Sequence, residues 1–410
     1  MVTITKLPAE LLQQALQNFE DDKATLGRLS LVSSLFASVA QQLLLRHLVL
    51  SVDTPLDGVE TSFDKIIRLL DEKPQLSTHV QTLTIFSRHA WTQSLDSINR
   101  VFNLLDRVTS LRSLDLDHEL MLPDDETHLF NSIIEANRLA RLTKLRLRNP
   151  FIKGNVFTEL LYLPKLKYLA LDHLLPPLAI FLSSLDRVCS LRTLEIGYWR
   201  GQPDLVLKNL LETTVGLEEL VLRMQPEEYI ESICIPSEVS QAMTPLQDTL
   251  KVLTITGPAF SPLPDTSRLD LSSFRVLEKV NVVSSFLFPP PEVAESRVGL
   301  YTLLPRSLLD LQINFLPEDR ISISSVAAPS VIEDWQTTWL WELAVNKAAY
   351  FPNLRTVVLQ EWHGLWTSNR LDYFDETDCH QMEVSEDLKM ELKRNSIAIQ
   401  CWARKGSDGR

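Results

Sequence analysis

Apolar residues recur along this chain in one spacing, Leu-x-x-Leu-x-Leu with Ile and Val allowed. The copies are Leu45–Leu48–Leu50, Val80–Leu83–Ile85, Leu111–Leu114–Leu116, Leu142–Leu145–Leu147, Leu166–Leu169–Leu171 and Leu191–Leu194–Ile196. They continue as Leu217–Leu220–Leu222, Leu250–Leu253–Ile255, Leu277–Val280–Val282, Leu308–Leu311–Ile313 and Leu354–Val357–Leu359. Eleven copies occur, and their middle residues lie 24 to 46 positions apart. A period of this size is that of a solenoid. The last two apolar positions of each copy alternate with polar ones, which predicts a short strand with one buried face. Helical periodicity fills the links, for example at 97–105, 129–139 and 178–188. Strand and helix alternating at a fixed period predict an α/β solenoid: a curved parallel sheet with the helices on its convex side.

The first fifty residues follow another pattern. Leu7, Leu11, Leu12, Ala15, Leu16 and Phe19 share one helical face, and Pro8 suits a first helical turn. Asp21 and Asp22 break this helix and can cap the next. Leu26, Leu29, Val32 and Phe36 form a second stripe, and Val39, Ala40, Leu43 and Leu44 a third. Residues 225–248, 284–306 and 315–352 interrupt the period; the last of these holds Trp335, Trp339 and Trp341. Residues 372–391 hold eight carboxylates against one lysine, and 403–410 have the composition of a disordered tail.

Composition narrows the function. The chain has 410 residues, is 45% hydrophobic and carries a net charge of -13. Such charge opposes broad contact with nucleic acid or an anionic membrane. No apolar run approaches the ~18 residues of a membrane-spanning helix, and the N-terminus lacks the pattern of a signal peptide. Cys189, Cys234, Cys379 and Cys401 are far apart without metal-type spacing, which reads as reduced thiols of a cytoplasmic or nuclear protein. No Asn-x-Ser/Thr site occurs. Solenoids present long binding surfaces, so a binding protein is expected here, with no enzymatic site, cofactor or metal.

With these residues in view, the N-terminus resembles an F-box. Leu7-Pro8-Ala9-Glu10-Leu11-Leu12 matches its opening, 29–36 its second helix and 40–48 its third. An F-box followed by leucine-rich repeats is the arrangement of substrate receptors in SCF-type cullin–RING ubiquitin ligases. The resemblance implies residues 1–48 as an F-box-like helical domain that docks on a Skp-type adaptor, and through it on a cullin. It implies 49–370 as a leucine-rich-repeat solenoid holding a protein substrate, followed by an acidic segment and tail at 371–410. The adaptor contacts it implies are Leu7, Pro8, Leu11, Leu12, Leu16, Leu29, Val32 and Phe36. The sequence departs from the family in lacking an aromatic other than Phe36 near the second and third helices. It also lacks the asparagine that follows many leucine-rich strands. Independently of the resemblance, three helices in fifty residues form too small a core to stand alone comfortably. A docked partner would cover the surplus apolar surface. The other reading is that they cap the open end of the solenoid, as terminal repeats require; the chain is then a plain repeat scaffold.

Chemistry-bearing residues are sparse. Asp117-His118 and Asp172-His173 follow two strands in equivalent positions, yet no nucleophile or third orienting group accompanies them. No His-Glu-x-x-His motif, phosphate loop or Gly-x-Gly-x-x-Gly is present. Trp335, Trp339, Trp341, Trp362 and Trp366 either line a pocket or pack the last repeats. The carboxylate run is either a regulatory tail or, the commoner case, a solvated acidic linker or surface helix.

The informative positions are those flanking the strand leucines, which face away from the core. They include Asp115 and Asp117, Lys144, Arg146 and Arg148, Tyr168, Asp172 and Glu195, and later Asn281, Gln312 and Asn314. An acidic row beside a basic row either recognises an acidic or phosphorylated substrate or neutralises itself. Asp115 and Glu195, facing outward, are expected to tolerate Ala.

Overall fold

The computed structural model describes residues 8–20, 22–52, 61–86, 95–117, 139–148, 159–172, 189–199, 203–224, 235–257, 267–288, 298–315, 334–361, 379–381 and 384–404. The chain forms two compact units, Met1–Asp172 and His173–Arg410.

The first unit opens with α1 (Ala9–Gln17), α2 (Lys23–Leu29) and α3 (Ser34–Arg46). Asp22 caps α2 through Thr25 N–H at 2.9 Å, and Ser33 caps α3 through Phe36 N–H at 3.3 Å. These caps correct one sequence expectation. Residues 29–36 are not a single helix: α2 ends at Leu29, residues 30–33 turn, and Phe36 belongs to α3. A hydroxyl placed to cap a new helix outweighs the apolar spacing that runs across the break. Leu12, Leu16, Leu26, Phe36, Val39 and Leu43 form the core of the three helices, with Leu29, Leu35 and Leu44 packed against it.

Helix α3 passes directly into β1 (His47–Ser51). Then come α4 (Ser62–Glu72), β2 (Thr82–Phe86), α5 (Leu95–Arg107), β3 (Ser113–Asp117), β4 (Lys144–Arg148) and β5 (Tyr168–Asp172). Strands β1 to β5 pair in sequence order, all parallel. Leu83, Leu114, Leu145 and Leu169 are register partners, as are Ile85, Leu116, Leu147 and Leu171. Both ladders are buried. Thr61 and Asp64 form a capping box at the start of α4. Arg100 of α5 bonds to both and lies 5.3 Å from the Phe63 ring centroid, which ties the two helices together.

The second unit holds β6 (Thr193–Trp199), α6 (Pro203–Thr213), β7 (Glu219–Met224), α7 (Pro236–Ala242), β8 (Val252–Thr256), β9 (Lys279–Val283) and β10 (Asp310–Phe315). These are followed by α8 (Asp334–Tyr350), β11 (Thr356–Glu361), β12 (Cys379–Gln381), α9 (Glu386–Arg394) and β13 (Ala398–Arg404). Strands β6 to β11 again pair in order and in parallel. β13 adds to β11 in parallel, and β12 covers β13 in the antiparallel sense.

One backbone device repeats at the start of the strands. Arg112 and Ser113 both donate to the Gln81 carbonyl, at 2.8 and 3.0 Å. Thr143 and Lys144 do the same to Arg112, and Lys251 and Val252 to Glu218, each at 2.8 and 3.0 Å. Each carbonyl accepts from two successive backbone N–H groups, so the turn before a strand is satisfied chiefly by the backbone of the preceding repeat; at Arg112 the Thr143 hydroxyl also donates, at 3.0 Å.

Strand β13 escapes the sequence period. Its register aligns Ile399 with Val357 and Cys401 with Leu359, which places Ser396 where the other copies have Leu or Val. Ser396 is left-handed, with φ 54°. Within the segment read as acidic and solvated, Glu386–Arg394 is helical and buries Leu388 and Leu392.

Candidate functional site

Three surfaces carry the candidate residues. The first is the three-helix segment. Leu12, Leu16 and Phe36 point into its own core, so they hold the fold and are not surface contacts. Leu29 is half-buried beside that core. Pro8, Leu11 and Val32 are exposed, and so are Phe19 and Leu31; Leu31 is 86% exposed. Leu7 lies outside the described residues. The apolar spacing puts Leu11 and Leu12 on one helical face, but Leu12 takes the core side and leaves Leu11, about 100° round the helix, 51% exposed. Val32 sits in the turn between α2 and α3, where side chains need not follow a helical stripe.

This segment is clamped to the first strand. The Glu20 carboxylate lies 3.3 Å from Arg46 and 2.8 Å from His47. Lys23 Nζ donates to the His47 carbonyl at 2.9 Å. Arg46 in turn donates to Gln81, just before β2, at 3.3 Å.

The second surface is the outward side of β3 to β5. Register places Asp115 beside Arg146, and Asp117 beside Arg148, as the alternation predicted. Both Asp115 and Arg146 are half-buried and engaged with neighbours. Lys144 Nζ lies 4.6 Å above the Tyr168 ring centroid, a cation–π contact. The side chains of Asp117, Arg148 and Asp172 are outside the described set. The charge available here is therefore smaller than a count of outward residues suggests, because the Arg146 and Lys144 side chains already have partners.

The third surface is the outward side of the second unit. Here Glu195 corrects the sequence expectation: it is buried and pairs with Arg223. Arg223 is the register partner of Gly197. Gly197 has no side chain to stand in the way, so the guanidinium leans across the diagonal to Glu195. Farther along, Asn314 Nδ2 donates to Asn281 Oδ1 at 2.7 Å. Gln312 Nε2 donates to Asn314 Oδ1 at 3.2 Å and to Gln360 Oε1 at 3.0 Å. Sequence reading placed Asn281, Gln312 and Asn314 outward but missed Gln360 as their partner. The signal was present, since Gln360 follows Leu359 just as Asn314 follows Ile313.

Trp339 is buried and packs on Phe288 with ring centroids 5.1 Å apart; Phe288 stacks in turn on Phe315 at 6.2 Å. It is a core residue. Trp341 is half-buried, and Trp362 and Trp366 lie outside the described residues, as do His118 and His173. The thiols of Cys189 and Cys401 are buried, and burial raises both, Cys401 to about 12. Neither is a thiolate near neutral pH. Among the described residues no group of His, Cys, Asp and Glu is placed to hold a metal ion. Nor is any helix among them long and apolar enough to cross a membrane.

Taken together, the three surfaces comprise exposed aliphatic side chains on a small helical module and polar rows on parallel strands. No family model matches the chain, and no curated protein matches it.

Proposed function

We propose that the chain is the substrate receptor of an SCF-type cullin–RING ubiquitin ligase, with no catalytic residues of its own. The three helices dock on a Skp-type adaptor, which links them to a cullin, and the repeats hold a protein substrate. Ubiquitin transfer is then promoted by proximity. The protein acts in the cytoplasm, the nucleus or both.

One observation carries the reading. The helices close their own core and still expose Leu11, Leu31 and Val32. Aliphatic side chains left outside a finished core are what a helical partner would bury, at roughly 25 cal/mol per Å². The F-box resemblance of 7–48 names that partner. The direct run of α3 into β1 and the Glu20 clamp suit a receptor, since they hold docking module and first repeat at one angle. The same clamp also favours the second reading, a repeat scaffold with an N-terminal cap.

Co-purification separates the two. Leu11→Asp with Val32→Asp places charges on the exposed surface and leaves the core intact. Anchor residues at interfaces each contribute about 2 kcal/mol or more. The double variant should lose a recombinant Skp-type adaptor while its circular dichroism stays that of wild type. Wild-type chain that fails to bind the adaptor leaves only the scaffold reading.

A further inference from the structure

In the first unit the end of the sheet where the strands begin is cationic. Arg112 lies just before β3, Thr143 before β4 and Lys167 before β5. Thr143 N–H donates to the Arg112 carbonyl at 2.8 Å and Lys167 N–H to the Thr143 carbonyl at 2.9 Å, so the three form one row across neighbouring strands. In the turns before that row, Arg141 and Lys165 hold equal places, each just ahead of a buried leucine, Leu142 or Leu166. Arg112, Arg141, Lys165 and Lys167 are all exposed. Among the described residues none of the four side chains has a hydrogen bond or an ion pair. Lys144, first in β4, adds a fifth charge, which its contact with the Tyr168 ring does not neutralise. The turns that carry them, 105–112, 139–144 and 163–168, are described throughout.

The fold does not require this. In the second unit the same pre-strand row reads Arg192, Glu218 and Lys251, and the Glu218 carboxylate lies 2.9 Å from Arg192 and 2.8 Å from Lys251. Arg275 and Lys279 there pair with Asp248 and Asp310. In the first unit no carboxylate alternates with the bases. Asp115, farther along β3, is the register partner of Arg146 and is engaged with its neighbours. Like charges left unopposed repel one another and cost stability.

Cations without countercharge fit an anion from outside, and its kind can be narrowed. The row spans two strand spacings, ~10 Å. That width suits several carboxylates in succession better than one doubly charged group. The chain as a whole has a net charge of -13. Screening limits the reach of the patch to about 8 Å at physiological salt. A short acidic segment therefore meets the patch alone, while a long nucleic acid or an anionic membrane extends past it and meets the negative remainder. The ring within the patch, Tyr168, is half-buried and covered by Lys144, so it is not open for base stacking.

We propose that Arg112, Arg141, Lys165 and Lys167 bind a short run of Asp and Glu in a partner polypeptide. The site rests on the reading that the repeats hold a protein. It places the anchoring contact at the edge before β3, β4 and β5, and not on the outward face where Asp115 and Arg146 already engage their neighbours.

The probe is a short blocked peptide of alternating Glu and Gly, labelled with fluorescein and titrated into the full chain, with binding read by anisotropy. Saturable binding is expected at ~50 mM salt, at least tenfold weaker by ~300 mM. Arg112→Glu with Lys167→Glu should weaken it at least tenfold at the lower salt. The melting temperature should not fall, because the reversal relieves repulsion among like charges. Arg112→Lys with Lys167→Arg keeps both charges and should bind as wild type does. Lys65→Glu with Lys208→Glu, exposed on α4 and α6, makes the same change in net charge and should keep wild-type affinity. The proposal is overturned if the Arg112/Lys167 reversal keeps wild-type affinity, or if the Lys65/Lys208 reversal loses as much. It is also overturned if an oligouridylate of equal charge, or phosphatidylserine vesicles, bind more tightly than the peptide. Sedimentation that shows the wild-type chain pairing with a second copy, and the Arg112/Lys167 reversal not doing so, would overturn it as well. Adaptor co-purification is read on the same variants, so loss of the adaptor reading and loss of this site are scored separately.

Discussion

Glu195→Ala separates strand alternation from tertiary structure. Alternation alone puts this residue on the outward face, where truncation has little effect. In the folded chain the Glu195 side chain is 7% exposed, and that of its partner Arg223 is 18% exposed. Removing one member of a buried pair leaves the other uncompensated, at a cost of about 3–5 kcal/mol. The difference in exposure orders the two single variants. Glu195→Ala leaves a guanidinium that can still reach water, so it falls near the low end, at about 3 kcal/mol. Arg223→Ala leaves the more deeply buried carboxylate and falls near the high end, at about 5 kcal/mol. Replacing both, as Glu195→Leu with Arg223→Met, removes the desolvation of two charges together and should stay within about 1 kcal/mol of wild type. Urea unfolding followed by tryptophan emission reads the right part of the chain. Trp91 alone of the eight tryptophans precedes His173, where the second unit begins. If Glu195→Ala unfolds at the wild-type urea concentration, the carboxylate is solvated and the reasoning from burial fails. If the double variant loses the sum of the two single losses, about 8 kcal/mol, the two groups are not coupled.

Other outcomes follow from the same structure. Leu169→Ala, at a fully buried rung between β4 and the end of the first unit, should destabilise that unit by roughly 2–5 kcal/mol, measured by amide exchange of β4 and β5. Burial raises the Asp64 carboxyl, but hydrogen bonds from Thr61 and the charge of Arg100 outweigh it and hold the group below its ordinary 3.8. A carboxyl lowered by folding stabilises above its unfolded value and loses that contribution as pH falls through the folded one. The α4–α5 contact should therefore be intact at neutral pH and weaken below about pH 4. Asp64→Asn should flatten that acid limb in a pH series of thermal melts. Ser396→Gly should raise the melting temperature of the second unit slightly, worth about 1 kcal/mol, because glycine adopts φ 54° without strain. An unchanged or lower midpoint would contradict the left-handed turn before β13.

The sequence by itself determined the repeat. Leu-x-x-Leu-x-Leu dictates a buried strand face because period-two alternation leaves the chain one way to hide those leucines. Leu114, Leu145 and Leu169 take that place in one unit, and Leu194, Leu220 and Leu253 in the other. It also placed Asp115 beside Arg146, since equal copies bring equal positions into register. Tertiary structure decided what local spacing does not encode. Apolar spacing ran unbroken from Leu29 to Phe36, and only the Ser33 cap showed that two helices meet there. Of eight residues assigned to docking, Leu12, Leu16 and Phe36 closed the core, and Leu11 and Val32 remained outside. A stripe says which side is apolar; the neighbouring helices decide how much of it is covered. The last strand, β13, was invisible because Ser396 and Cys401 stand where leucines were expected. Its place was fixed by hydrogen bonding to β11, which tolerates any side chain. Glu195 and Gln360 acquired their roles from partners 28 and 48 residues away in sequence, a separation that only packed strands can close.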